Sequence, residues 1–157
     1  MRNQILKGVA MLMFVVPALT SAAVSADAQS IGNVVANVPF EFVVGDKTLP
    51  SGNYTIAALN ASSGVVIRSK DNHDSTVRLT NPIEPKRNNT QARLIFHRYG
   101  QRYFLAEVWK GGDNLGRHLN RSQQERAIER ELAATISSRT TVAKNTYELV
   151  EIVAALD

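Results

Sequence analysis

Ala92-Arg93-Leu94-Ile95-Phe96-His97-Arg98-Tyr99-Gly100-Gln101-Arg102-Tyr103-Phe104-Leu105-Ala106-Glu107-Val108-Trp109-Lys110 reads as two β-strands and the turn between them. β-Branched and aromatic residues fill both arms. Gly100-Gln101 is a two-residue connection whose glycine, at the first central position, suits a type II′ turn. The register such a turn implies places Glu107 on one face with Leu94, Phe96, Arg98, Tyr103, Leu105 and Trp109. Glu107 is therefore expected to be partly buried and paired with a cation.

The chain on either side carries the same signals. Upstream, Val34, Ala36, Val38, Phe40, Phe42 and Val44 alternate with Asn37, Pro39 and Glu41, the pattern of a half-buried strand. Pro39 has no N–H to donate, which puts its side of that strand at an edge or a bulge. A turn region from Gly45 to Gly52 follows, and Asn53 to Leu59 resumes the alternation with Tyr54, Ile56 and Ala58 on one face. Val65 to Ser69 and Ser75 to Thr80 read as short, turn-bounded strands, and Asn81 to Gln91, with two prolines, reads as an exposed loop.

Downstream, Gly111, Gly112 and Gly116 mark a flexible loop. Ser122-Gln123-Gln124-Glu125 then fits a capping box. The helix it opens is expected to reach about Thr135, with Ile128, Leu132 and Ile136 as its docking stripe and Glu125, Arg126, Glu129, Arg130 and Glu131 outside. Thr146 to Ala154 reads as a last strand returning to the sheet. The fold class that follows is mainly β: a single-domain antiparallel β-sandwich or small β-barrel with one helix near the C-terminus.

The first 28 of the 157 residues differ from the rest: Arg2 and Lys7, an apolar run from Gly8 to Leu19 interrupted by Pro17, then small residues. That is the pattern of a secretory signal peptide. The run is too short for a spanning helix of about 20 apolar residues. Cleavage is expected after Ala28, with Ala26 equally defensible, leaving one β-rich domain of 129 residues from Gln29 to Asp157. Loss of Arg2, Lys7 and Asp27 with the leader lowers the formal charge from +4 to +3. No cysteine is present, which removes disulfides, thiolate metal sites, a cysteine nucleophile and a lipidated N-terminal cysteine together. A chain of this length buries roughly two thirds of its unfolded surface, so core packing can hold it without staples.

The residues suited to chemistry are few. His73, His97 and His118 include no pair at a metal-ligand spacing. Asp71, His73, Asp74 and Ser75 cluster in one turn, where Asp and Asn also occur for backbone reasons. Glu41, Glu107, Glu148 and Glu151 all lie on expected strands, and a glycosidase would need two of them facing each other across a cleft. The glycines near Gly111 lack the lysine and hydroxyl residue of a phosphate loop. No cofactor or metal is expected. The hairpin instead gathers Arg93, His97, Arg98, Arg102 and Lys110 with Tyr99, Tyr103 and Trp109, and basic residues interleaved with rings can bind acidic sugars or a protein partner. The low net charge does not suggest nucleic-acid binding.

The stretch Val38-Pro39-Phe40-Glu41-Phe42-Val43-Val44-Gly45-Asp46-Lys47-Thr48-Leu49-Pro50-Ser51-Gly52-Asn53-Tyr54, with the later Arg98-Tyr99-Gly100-Gln101-Arg102-Tyr103-Phe104-Leu105-Ala106-Glu107-Val108-Trp109, resembles segments of a group of uncharacterised secreted β-rich proteins of the acidobacterial type. The resemblance covers most of the mature chain and implies no activity. Leu49-Pro50-x-Gly52-x-Tyr54 is also similar to a hairpin of transthyretin-like and carboxypeptidase-regulatory-like β-sandwich domains. The expected function is that of an exported, non-enzymatic β-domain, periplasmic or secreted, binding a protein partner or an acidic glycan at the cell envelope. A small hydrolase acting on envelope polymers, through Glu107 or the Asp71-to-Ser75 turn, and a structural or assembly protein are the alternatives.

Overall fold

The structure is a computed structural model that describes residues 33–59, 64–84, 90–112, 116–137 and 146–157. The leader expected over 1–28 lies outside the described residues. So do parts of the expected turn and loops at 60–63, 85–89 and 113–115, and the side chain of Ile136. In chain order the elements are β1 (Val34–Val38), β2 (Phe42–Val44), β3 (Lys47–Leu49), β4 (Gly52–Leu59), β5 (Gly64–Ser69), β6 (Ser75–Ile83), β7 (Arg93–Tyr99), β8 (Arg102–Trp109), β9 (Gly116–Leu119), α1 (Gln123–Ser137), β10 (Glu148–Val153) and β11 (Ala155–Leu156).

The strands follow one another in the order β10-β7-β8-β9-β6-β5-β4-β1-β11, an open sheet folded into a β-sandwich-like single domain with one helix near the C-terminus. The strand pairing itself passes from one layer to the other at two places. β6 pairs with β5 as far as Leu79 and with β9 from Thr80 onward. The C-terminal chain pairs with β7 as β10 and, after Ala154, with β1 as β11. The two inner faces meet in one core, with Val34, Ala36, Val38, Tyr54, Ile56, Val65 and Ile67 from one layer and Phe42, Val44, Leu49, Leu94, Phe96, Leu105, Val108 and Leu119 from the other. These are the alternate residues of each strand, which is why the period of two marked them.

Four local expectations are corrected. The strand expected from Val34 to Val44 is two strands, because Pro39, unable to join a ladder, falls where the chain leaves β4 for the other layer. There β2 meets β8 in parallel at Val43 and Phe104, an exception to the antiparallel pattern. The loop expected from Asn81 starts later, since β6 continues through Pro82 and Ile83 and pairs with β9, a strand that emerges from the expected glycine loop. Gly116 is needed there for close approach: a Cβ on it would lie 2.6 Å from the Trp109 ring.

The last correction concerns the hairpin. Its turn is as expected, with Tyr99 opposite Arg102 and Gly100 at φ 63° in the left-handed region. The register, however, shifts between Ile95 and Phe96, whose partners are Glu107 and Leu105. Ala106 is the extra residue of a β-bulge, and past a bulge the faces exchange. Leu105 faces the core with Leu94 and Phe96, whereas Glu107 and Trp109 stand on the outer face opposite Ile95 and Arg93.

Candidate functional site

The outer face of β7 and β8 is where most of the basic and aromatic hairpin residues went, and α1 packs over part of it. Ile128 packs on Val43, Tyr99 and Phe104. Beside this small apolar contact lies a buried polar network. His97 and Glu125, each 4% exposed, are joined through Nδ1 and Oε1 at 2.7 Å. The Tyr99 hydroxyl lies 3.2 Å from the same carboxylate and donates to Glu129 at 2.9 Å. Arg121 closes the set with a 2.6 Å ion pair to Glu129, and the Tyr147 ring lies against His97, tilted by 35° with centroids 4.0 Å apart.

Burial pushes the Tyr99 hydroxyl well above its ordinary value, helped by its bond to Glu129 and by the Glu125 charge. At Arg121 burial acts in the opposite direction but is outweighed by the Glu129, Tyr99 and Glu125 fields, which hold the guanidinium above its usual range. The helix therefore docks through carboxylates that the apolar-stripe reading placed outside. The capping box is correspondingly half formed: Ser122 Oγ accepts the Glu125 N–H at 3.0 Å, while the Glu125 carboxylate turns inward to His97. A spacing of four from Arg121 to Glu125 to Glu129, opposite an alternating His97 and Tyr99, was the available signal. His97 and Glu125 have the form of a histidine–carboxylate dyad, but a ring this deeply covered works as a clasp between helix and sheet.

The other hairpin residues are also engaged. Arg93 lies over the Trp109 ring at 5.3 Å and pairs with Glu151 at 3.6 Å. The Trp109 indole N–H donates to Glu107 at 2.7 Å, so the carboxylate expected to hold a cation holds a ring instead. Arg98 lies over Tyr103 at 5.6 Å and donates to Glu148 at 3.2 Å, and Tyr103 stacks on Phe40. Lys110 is half-buried and engaged, and Arg102 is exposed at the tip. His97, Tyr99 and Trp109 are buried, and the eight residues do not share one accessible surface.

The Asp71-to-Ser75 turn is likewise occupied by structure. Asp71 accepts the Asn53 N–H at 2.8 Å, at a point where a Cβ on Gly52 would meet its carboxylate, and Tyr54 donates to the Pro50 carbonyl at 2.6 Å. These bonds account for the Leu49-Pro50-x-Gly52-x-Tyr54 pattern. Asp74 pairs with Lys47 at 2.7 Å, and His73 takes a left-handed φ of 60°.

Three open depressions border the helix. The largest, about 740 Å³, runs along α1 past Arg126, Glu129 and Arg130, and another of about 510 Å³ lies between the hairpin tip and Glu148. The third, about 330 Å³, separates β6 from the turn into α1 and contains Asp46. Among the described residues each of the three holds a single carboxylate, so these residues present no facing pair of the kind glycoside hydrolysis requires.

The outer face of the β4–β5–β6 layer is open. Ala57, Val66 and Val77 stand in one row across it, and Leu59, Gly64 and Leu79 in the next. Val66 is 7% exposed, but Val77 is 56% and Leu79 73% exposed. No charge interrupts these two rows, and no described element packs over them. The chain matches no protein-family model, curated protein or solved structure, so this geometry carries the functional argument.

Proposed function

We propose that the mature chain is an exported, non-enzymatic β-domain that binds a protein partner at the cell envelope through the outer face of β4, β5 and β6. The observation that carries the proposal is the pair of large apolar side chains on β6, Val77 and Leu79, left mostly in water beside Leu59 and Val66. Burying an aliphatic side chain of this size is worth about 1.5–3 kcal/mol, so a strand that presents two in succession favours a covering surface. On the opposite layer α1 covers part of the outer face, and the exposed Leu149 and Val153 of β10 are separated there by the charged Glu151.

A protein fits this surface better than a sugar, because no aromatic platform or exposed arginine cluster lies among the apolar rows. The hydrolase reading loses support from the engaged state of Glu107, Asp71 and Asp74. An acidic glycan at the hairpin tip is a second reading, favoured by the exposure of Arg102 at the turn, with Arg98 over Tyr103 on the adjoining rung.

The test is site-specific photo-crosslinking in the exporting cell, with the photoreactive residue placed at Leu79 and, as a control, at the exposed helix position Glu131. One discrete adduct from position 79 and none from 131 supports the proposal. Absence of an adduct at 79, or the same adduct from both, removes it.

A further inference from the structure

The edge of β6 next to the exposed apolar face is unpaired over half its length. Ser75 to Leu79 pair with β5 alone, and only from Thr80 does β9 take up the other side. The direction of the free backbone groups follows from two bonds. The Asp74 carbonyl turns toward β5, where it accepts the Ser69 N–H at 2.8 Å. Alternation then turns the Ser75 carbonyl away from β5, and there Lys47 Nζ meets it at 3.3 Å. Two and four residues on, the Val77 N–H and C=O and the Leu79 N–H point to that same outer side, and no described strand receives them.

The third depression lies along this edge. Its walls are Val77 and Leu79 on β6, the Gly45-Asp46 turn, and the chain entering α1 with Arg121 and Arg126. Arg78 reaches across one end to the Val44 carbonyl, through Nη2 at 3.1 Å, and Gly45, at φ 64°, leaves the room it needs. Among the described residues three guanidiniums, those of Arg78, Arg121 and Arg126, thus border the groove against the one carboxylate of Asp46. Arg121 is held by Glu129 and Arg78 by Val44 and Asp46, while Arg126 stands exposed at the rim.

A free strand edge, two apolar side chains beside it and a cationic border are the three things that recognise an extended peptide by strand addition: the backbone supplies affinity, and alternate side chains supply selection. We propose that an extended partner segment alternating apolar and acidic residues docks in this groove as an added strand on the Ser75–Leu79 edge of β6. The inference rests on the protein-partner reading and names the chemistry of the partner at the same place. Its apolar residues pack on Val77 and Leu79, and its carboxylates lie toward Arg126.

The test uses the purified mature chain and three blocked peptides of about seven residues, the length of an ordinary strand. One alternates glutamate and valine, one alternates lysine and valine, and one is the acidic peptide with alternate amides N-methylated so that they cannot donate. Amide-resolved NMR follows binding. The acidic peptide is expected to shift the Val77 and Leu79 amides and slow their exchange with water, the basic one to leave them unchanged, and N-methylation to abolish the effect. Arg126→Glu, at an exposed position, is expected to raise the Kd of the acidic peptide by about three- to tenfold.

Equal binding of the basic peptide, or binding that leaves the β6 amides untouched, overturns the inference. No binding of any peptide while position 79 still gives its crosslink overturns strand addition and retains the partner reading. Loss of both overturns the two together.

Discussion

Replacing Glu125 with alanine removes the acceptor on which the docking of α1 depends. The carboxylate is 4% exposed and takes the His97 ring at 2.7 Å. A hydrogen bond to a charged group contributes about 1.5–3 kcal/mol, and leaving a buried donor without an acceptor costs a further amount of about 1–3 kcal/mol. Tyr99 loses little, since its hydroxyl keeps Glu129 at 2.9 Å, and the Ser122 cap survives because its donor is the Glu125 backbone. Glu125→Ala should therefore destabilise the domain by about 2.5–6 kcal/mol, a large part of the 5–15 kcal/mol typical of a whole domain. Glu125→Gln keeps the shape and an acceptor and should cost about 1–2 kcal/mol. Glu131→Ala, on the exposed side of the same helix, should stay within about 0.5 kcal/mol. Urea unfolding followed by far-ultraviolet circular dichroism gives the three values, and native-state hydrogen exchange shows whether the α1 amides open first. Equal stability of Glu125→Ala and Glu131→Ala would falsify the assignment of the network as the helix clasp.

Tyr99 supplies a pH test. Its folded value lies above the ordinary 10.0, through burial first and then Glu129, so above pH 10 the unfolded chain gives up this proton while the folded chain keeps it. Stability is then present below pH 10 and falls as pH rises beyond it, by up to about 1.4 kcal/mol per pH unit from this one group. Tyr54, raised by burial and by Asp74 and Asp71, acts in the same direction, so Tyr99→Phe should reduce the alkaline slope without flattening it; an unchanged slope contradicts the reading. Gly116→Val should push the indole of Trp109, the only tryptophan, off β9, with a red-shifted emission and a loss of about 1–3 kcal/mol; an unshifted spectrum would mean that the ring does not lie on Gly116. For the glycan reading, Arg98→Ala with Arg102→Ala should weaken binding of an acidic glycan such as heparin, measured by thermal shift, and unchanged binding removes the hairpin tip from consideration.

The alternation of β1, β4, β5 and the hairpin was legible because a sandwich imposes a period of two wherever one face is buried, and Val34, Val38, Tyr54, Ile56, Leu94 and Phe96 all obey it. The bulge at Ala106 was not, since an inserted residue leaves the local pattern of a strand intact and changes only its partner's register. For the same reason Glu107 and Trp109 were assigned to the wrong face. β9 was hidden by its glycine, which reads as a loop signal although its purpose is to admit the Trp109 ring. Glu125 was placed outside the helix because charge is a good indicator of exposure until a histidine and a tyrosine on another element satisfy it. The β6 face went unremarked as a surface because exposure is a tertiary property: Val77 and Leu79 look like core residues until α1 is seen to pack on the other layer.

The most direct test of the binding face is hydroxyl-radical footprinting of the exported protein in its own envelope, compared with the purified mature chain. Leu149 and Val153, 63% and 58% exposed on the outer side of β10, are internal controls of similar size and accessibility. The account predicts that Val77 and Leu79 are protected in the envelope and oxidised in the purified chain, with Leu149 and Val153 labelled alike in both. Equal labelling of Val77 and Leu79 in the two samples would contradict it.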